Sequence, residues 1–118
     1  METFILWHNP RCSKSREALA LLRDRGVEPA VRLYLEQPPT RAELEALADA
    51  LALEPPRFLR VKEPLFRELG LSADDTRTRG EWLEILARHP QLLERPILQV
   101  GGKARLGRPP EAVLELLP

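Results

Sequence analysis

Hydrophobic positions change their period several times along the chain, and each change marks an element. Thr3 to Trp7 is an apolar run, Thr-Phe-Ile-Leu-Trp, that predicts a short buried strand ended by Asn9-Pro10. From Ser13 to about Arg25 the residues Ala18, Leu19 and Leu22 recur on one helical stripe, with Gly26 at the expected stop. Val31, Leu33 and Leu35 then alternate with Arg32 and Tyr34, a period of two that predicts a second strand over Val31–Leu35. Strand, helix and strand at this spacing predict a βαβ unit with parallel strands and a right-handed crossover.

Gln37-Pro38-Pro39 interrupts the pattern, and Thr40 with Glu43 has the spacing of a capping box. Leu44, Leu47 and Leu51 supply the apolar face of the helix it opens, which Pro55-Pro56 closes. Arg57 to Leu71 reads as short helical turns, with Pro64 at a start and Gly70 at a stop. A second capping box, Thr78 with Glu81, opens a helix through Trp82, Ile85 and Leu86 that ends at His89-Pro90. Ile97–Val100 and Ala104–Leu106 flank Gly101-Gly102 as a two-residue hairpin. After Pro109-Pro110 a last helix would turn Val113, Leu114 and Leu117 to the core. The order is β-α-β, helices, then β-β-α, in one domain over residues 1–118 with the helices inserted at about 40–93. Trp7 and Trp82 are expected in the core, and His89 at a helix end.

The composition is that of an ordinary globular domain, with 43% hydrophobic and 31% charged residues among 118. Eighteen basic residues balance eighteen acidic ones, which disfavours a protein that coats nucleic acid but leaves room for a local basic site. Residues 57–67 carry four bases and one acid, and 94–111 carry four bases and two acids, both on irregular segments and element ends. With one cysteine and two histidines, neither an internal disulfide nor a thiolate-rich metal site is available. The first residues lack the basic start of a signal peptide and no apolar run is long enough to span a bilayer, so a cytoplasmic protein is expected.

Cys12 is the leading candidate for chemistry because it falls between a strand end and a helix start. Helix N-termini present unpaired N–H groups and a partial positive charge, both of which favour thiolate over thiol. Arg11, Lys14 and Arg16 lie nearby, and such surroundings can bring a thiol from about 8.5 to roughly 3.5–7.5. Ser13 and Ser15 could donate hydrogen bonds to the sulfur. The competing reading is an inert small hydrophobe. A Cys-x-x-Cys pair is ruled out, since position 15 is Ser15, so any oxidation of Cys12 must be reversed by an external thiol.

His8-Asn9-Pro10-Arg11-Cys12-Ser13-Lys14-Ser15-Arg16 resembles the active-site loop of the glutaredoxin-dependent arsenate reductase family, in its Cys-Ser-Lys-Ser-Arg version. Phe58-Leu59-Arg60, Glu94-Arg95-Pro96-Ile97 and Arg105-Leu106-Gly107-Arg108-Pro109-Pro110-Glu111 extend the resemblance, in order, over nearly the whole chain. It implies an α/β, thioredoxin-like fold (β-α-β then β-β-α) with a helical insertion between the two halves. It implies that Cys12 is the nucleophile, that Arg60, Arg95 and Arg108 bind an oxyanion, and that Pro96 is a cis-proline facing the thiol. His8 and Ser15 match positions near the thiol, where His8 could tune Cys12 through its charge, although a structural role at the strand end fits it as well. The implied activity is reduction of arsenate, or a similar oxyanion, through a covalent adduct on Cys12. Glutathione would be the reducing co-substrate and glutaredoxin the partner, with no bound cofactor, metal, nucleic acid or membrane. Guanidinium forks suit such a substrate, since they bind paired oxygens and keep their charge. Two other readings stay open: a glutathione-dependent thiol transferase, and a non-enzymatic redox regulator that binds RNA polymerase. Relatives of the latter kind typically switch through Cys-x-x-Cys.

Overall fold

A computed structural model describes residues 3–118; the first two positions of the predicted domain lie outside the described residues. Strands β1 (Phe4–Trp7), β2 (Ala30–Arg32), β3 (Ile97–Val100) and β4 (Lys103–Leu106) form one sheet in the order β2-β1-β3-β4. β1 pairs with β2 in parallel and with β3 antiparallel, and β3 pairs antiparallel with β4. Val100 faces Lys103 across Gly101-Gly102, with Gly101 at φ +58°, so the two-residue turn closes the hairpin where the glycines place it. Helix α1 (Ser13–Asp24) connects the parallel strands. Helices α2 (Arg41–Leu51), α3 (Pro64–Glu68) and α4 (Arg79–Arg88) follow between β2 and β3, with 3-10 turns at Pro55–Phe58 and Pro90–Leu92. This mixed sheet with its helices is the α/β, thioredoxin-like arrangement.

Local chemistry sets the ends of these helices. Gly26, at φ +79°, closes α1 as its N–H donates to the Arg23 carbonyl and that of Val27 to the Leu22 carbonyl, a Schellman pattern. Both predicted capping boxes form: the Thr40 hydroxyl accepts from the Glu43 N–H and the Thr78 hydroxyl from the Glu81 N–H, with the glutamates reaching back. The sheet separates two apolar clusters. Leu6 and Leu98 pack with Ala18 and Leu22 of α1 and with Val113 on one face. On the other, Trp7 and Ile97 pack with the inserted helices, including Leu44, Leu47, Trp82 and Leu86. Apolar residues at successive strand positions point to opposite faces, Leu6 and Leu98 to one and Trp7 and Ile97 to the other, so both sides are covered.

Two predicted elements differ. The strand expected over Val31–Leu35 stops at Arg32, and residues 33–37 turn, with the Glu36 and Gln37 N–H groups both donating to the Leu33 carbonyl. Val31 and Leu35 are 38% and 45% exposed, whereas Tyr34, on the opposite phase, is fully buried. β2 is an edge strand, so its alternation has no sheet neighbour on the outer side to enforce it. Instead Arg32 holds the turn: it donates to the Gln37 and Pro38 carbonyls, pairs with Glu43 at 2.7 Å, and lies over the Trp7 ring at 5.2 Å. The predicted last helix is a 3-10 segment, Pro110–Leu116, in which Val113 is buried while Leu114 and Leu117 are only partly covered. Close packing also sets Gly107, where a Cβ would stand 2.6 Å from Pro96 Cγ and 3.1 Å from Val113 Cγ1.

The Arg32 bond, with the Thr40 N–H, holds the Glu43 carboxyl down at about 2 from an ordinary 4.5. A depressed carboxyl contributes stability above its ordinary value and loses it as pH falls through the folded one. Glu43→Gln should therefore lower Tm at pH 6 by about 2–4 °C, a screened surface-pair effect, with the gap to wild type closing between about pH 4.5 and pH 2. Calorimetry across that range checks it; a gap that is constant with pH would contradict the pairing.

Candidate active site

The loop between β1 and α1 is held by its own polar groups. The Asn9 carbonyl accepts from the Cys12 N–H at 3.0 Å, and Asn9 Oδ1 accepts from the Arg11 N–H, an Asx turn across Pro10. Ser15, buried in the first turn of α1, accepts from the Asn9 N–H at 3.1 Å and lies 2.7 Å from His8 Nδ1. The hydroxyl keeps a second lone pair and its hydrogen, so it can pair with Nδ1 in either tautomer of the imidazole. Burial, and then the charges of Arg23 and Arg16, hold His8 below its ordinary 6.5, so it is neutral at neutral pH. His8 and Ser15 thus meet each other and brace the loop. The lowered pKa of His8 works against an influence on the sulfur through an imidazolium charge.

Cys12 is the N-cap of α1, with extended backbone and a half-buried thiol. Partial burial pushes its thiol up, but the Ser15 N–H, the Arg95 guanidinium and the Lys14 N–H outweigh this and hold it below the ordinary 9.0. The helix N-terminus therefore acts as the position in sequence suggests. The cation that acts on the sulfur is the distant Arg95. Lys14 contributes its backbone, and Arg16 is turned away, donating to the Pro10 carbonyl.

Three separate segments bring the arginines together. Leu59 and Leu93, both buried, form an antiparallel bridge, with the Arg60 N–H donating to the Leu92 carbonyl at 2.6 Å and the Glu94 N–H to the Phe58 carbonyl at 2.9 Å. This carries Arg60 to the start of β3, where Arg95 stands. Arg108, after β4, donates through Nε to the Arg95 carbonyl at 3.0 Å. The Arg95-Pro96 and Arg108-Pro109 peptide bonds are both cis. Arg60, Glu63, Glu94 and Arg108 line an open cleft of about 360 Å³.

Two carboxylates with no assigned role in the sequence occupy the same place. Glu63 accepts from Arg60, and Glu94 lies 3.9 Å from Arg60 and 3.5 Å from Arg108, between the two guanidiniums. The adjacency of Glu94 to Arg95, and of Glu63 to Arg60 one turn away, is the signal that would have marked them. Arg95 differs: its Nε is buried and has no hydrogen-bond partner among the described residues. The Tyr34 hydroxyl, beside Arg95, is likewise buried and unpartnered. Each such orphan costs about 1–3 kcal/mol, and these two lie side by side, while a third, Arg79 Nε, lies apart from the site.

The model of the ArsC family matches residues 7–116. An arsenate reductase of Haemophilus influenzae is 43% identical over 114 residues, covering 96% of this chain and 97% of that protein. Protein YfgD of Escherichia coli K12, described as uncharacterized, is 49% identical over 113 residues, 95% of this chain and 94% of its own length. The solved arsenate reductase of Vibrio cholerae superposes with a TM-score of 0.92 at 46% identity, covering 98% of both chains.

Arg95→Met should raise the pH midpoint of Cys12 alkylation by iodoacetamide, whereas Arg108→Met should leave it in place, because only Arg95 acts on the sulfur. Equal midpoints in wild type and Arg95→Met would show that the thiolate is stabilised without that guanidinium.

Proposed function

The chain belongs to the ArsC family, and from that membership we propose that it reduces arsenate to arsenite with glutathione and glutaredoxin, through a covalent adduct on Cys12. The observation that carries this reading is the meeting of a stabilised Cys12 thiolate with the unpartnered Nε of Arg95, next to Arg60 and Arg108. A thiolate and an anionic substrate repel each other, and guanidiniums placed around both offset that repulsion while orienting the oxygens.

The steps follow from the one sulfur available. The Cys12 thiolate attacks arsenic(V), forming a sulfur–arsenic bond as one arsenate oxygen is protonated and leaves as water. A glutathione thiolate then attacks the Cys12 sulfur. The sulfur–arsenic bond breaks with its electron pair going to arsenic, which departs as arsenite, and Cys12 is left in a mixed disulfide with glutathione. Because Cys12 is the single cysteine, no internal thiol can resolve that disulfide. The glutaredoxin thiolate attacks its glutathione sulfur, restoring the Cys12 thiolate and leaving glutathionylated glutaredoxin, from which a further glutathione releases oxidised glutathione. Pro96, cis and buried, stands at the position that faces the thiol in the family this chain resembles. His8 and Ser15 keep the loop in position.

The test is arsenate-dependent oxidation of NADPH, coupled through glutathione reductase, glutathione and glutaredoxin. Wild type should turn over and Cys12→Ser should not. Arg95→Ala and Arg108→Ala should lower kcat/KM about 10–100-fold, the range of a lost hydrogen bond to a charged group. Arg77→Ala, at a residue paired with Asp75 near Trp82, should stay within about twofold of wild type. Equal losses in all three would contradict the arginine clamp. Reduction of glutathionylated disulfides without arsenate turnover would point to a thiol transferase, and co-purification with RNA polymerase without either activity to a regulator.

A further inference from the structure

Tyr34 is the one tyrosine of the chain, fully buried, and its hydroxyl has no hydrogen-bond partner among the described residues. The groups around it explain why. Arg95 lies against the hydroxyl without forming a well-aligned hydrogen bond, and Arg60 and Cys12 are near enough to act on it through their charges. A guanidinium has donors only, so neither arginine can accept the phenol hydrogen. Burial keeps the phenol above its ordinary 10, which leaves a neutral donor at physiological pH. The neighbouring Arg95 Nε is a second buried donor without a partner. Two unmatched donors, one of them on the guanidinium that acts on Cys12, call for a ligand that brings several acceptor oxygens.

We propose that Tyr34 is a substrate-binding residue, its hydroxyl donating a hydrogen bond to an oxygen of the tetrahedral oxyanion held over Cys12, alongside the Nε–H of Arg95. This rests on the oxyanion reading of the site and adds to it a neutral donor. Such a donor fixes one oxygen by direction, where the arginines attract by charge. The turn that follows β2 exists in part to deliver it: Arg32 bonds across residues 37 and 38 and folds Tyr34 inward.

Tyr34→Phe removes only the hydroxyl and keeps the buried ring. The readout is protection of Cys12 from iodoacetamide by arsenate and by inorganic phosphate, which yields a dissociation constant without needing turnover. Both constants should weaken about 10-fold in Tyr34→Phe, while Tm is unchanged or higher, since the lost hydroxyl had no partner in the free protein. In wild type labelled at tyrosine Cζ, the single carbon resonance should shift on adding either anion, a signature that needs no variant. Protection equal in the two proteins, or a resonance unmoved at saturating phosphate, would overturn the role of Tyr34 while leaving the oxyanion site standing. No protection of wild type by either anion would overturn the oxyanion reading and the Tyr34 contact together.

Discussion

Three arginines, Arg60, Arg95 and Arg108, gather around the segment that leads into β3, and carboxylates and backbone carbonyls placed among them offset their mutual repulsion. Glu94 sits between Arg60 and Arg108, and Glu63 takes a further N–H of Arg60. The positions are set by backbone as well as charge. The Leu59–Leu93 bridge, with its buried leucines, pins Arg60 beside Glu94, and the Arg95 carbonyl takes the Nε of Arg108. Of these three arginines, Arg95 is the one with a buried donor unpaired among the described residues. The clamp is thus two neutralised arginines around one that is open, which concentrates the unmet demand for an anion next to Cys12.

The thiol end of the site follows a different economy. The β1–α1 loop is closed by Asn9, Ser15 and His8, whose side-chain bonds are to one another or to the loop backbone, so no part of the clamp is needed to shape it. The loop delivers Cys12 to a helix N-terminus, where backbone N–H groups already favour the thiolate. The clamp then adds Arg95 from across the sheet. Two units that fold by separate local rules meet at one sulfur. The long-range part of the catalytic arrangement therefore reduces to how β3 and the segment before it sit against β1.

Much of this was legible in the sequence where the signals are local. Capping boxes at Thr40 and Thr78, the glycine after α1 and the Gly-Gly turn each specify an element end through a few adjacent residues, and each formed as its spacing predicts. Cys12 stood out for the same reason, lying between a strand end and a helix start. The convergence of Arg60, Arg95 and Arg108 came from family resemblance, because no periodicity connects segments so far apart. Tyr34 was hidden by a period-two pattern that continued past the point where the edge strand stops. There the side-chain bonds of Arg32 to the backbone, invisible to hydrophobic patterning, decide which residue turns inward. Glu63 and Glu94 read as ordinary charges until the arginines they balance are placed beside them.

A crystal structure of the Cys12→Ser protein grown with arsenate would test most directly whether this is one site for a tetrahedral oxyanion. The expected density is an anion next to residue 12, with oxygens within hydrogen-bonding distance of Arg95 Nε and the Tyr34 hydroxyl. Arg60 and Arg108 should be drawn from Glu63 and Glu94 toward the anion. An anion bound elsewhere, with Arg60 still on Glu63, Arg108 still beside Glu94 and the Arg95 Nε still unpartnered, would contradict the clamp.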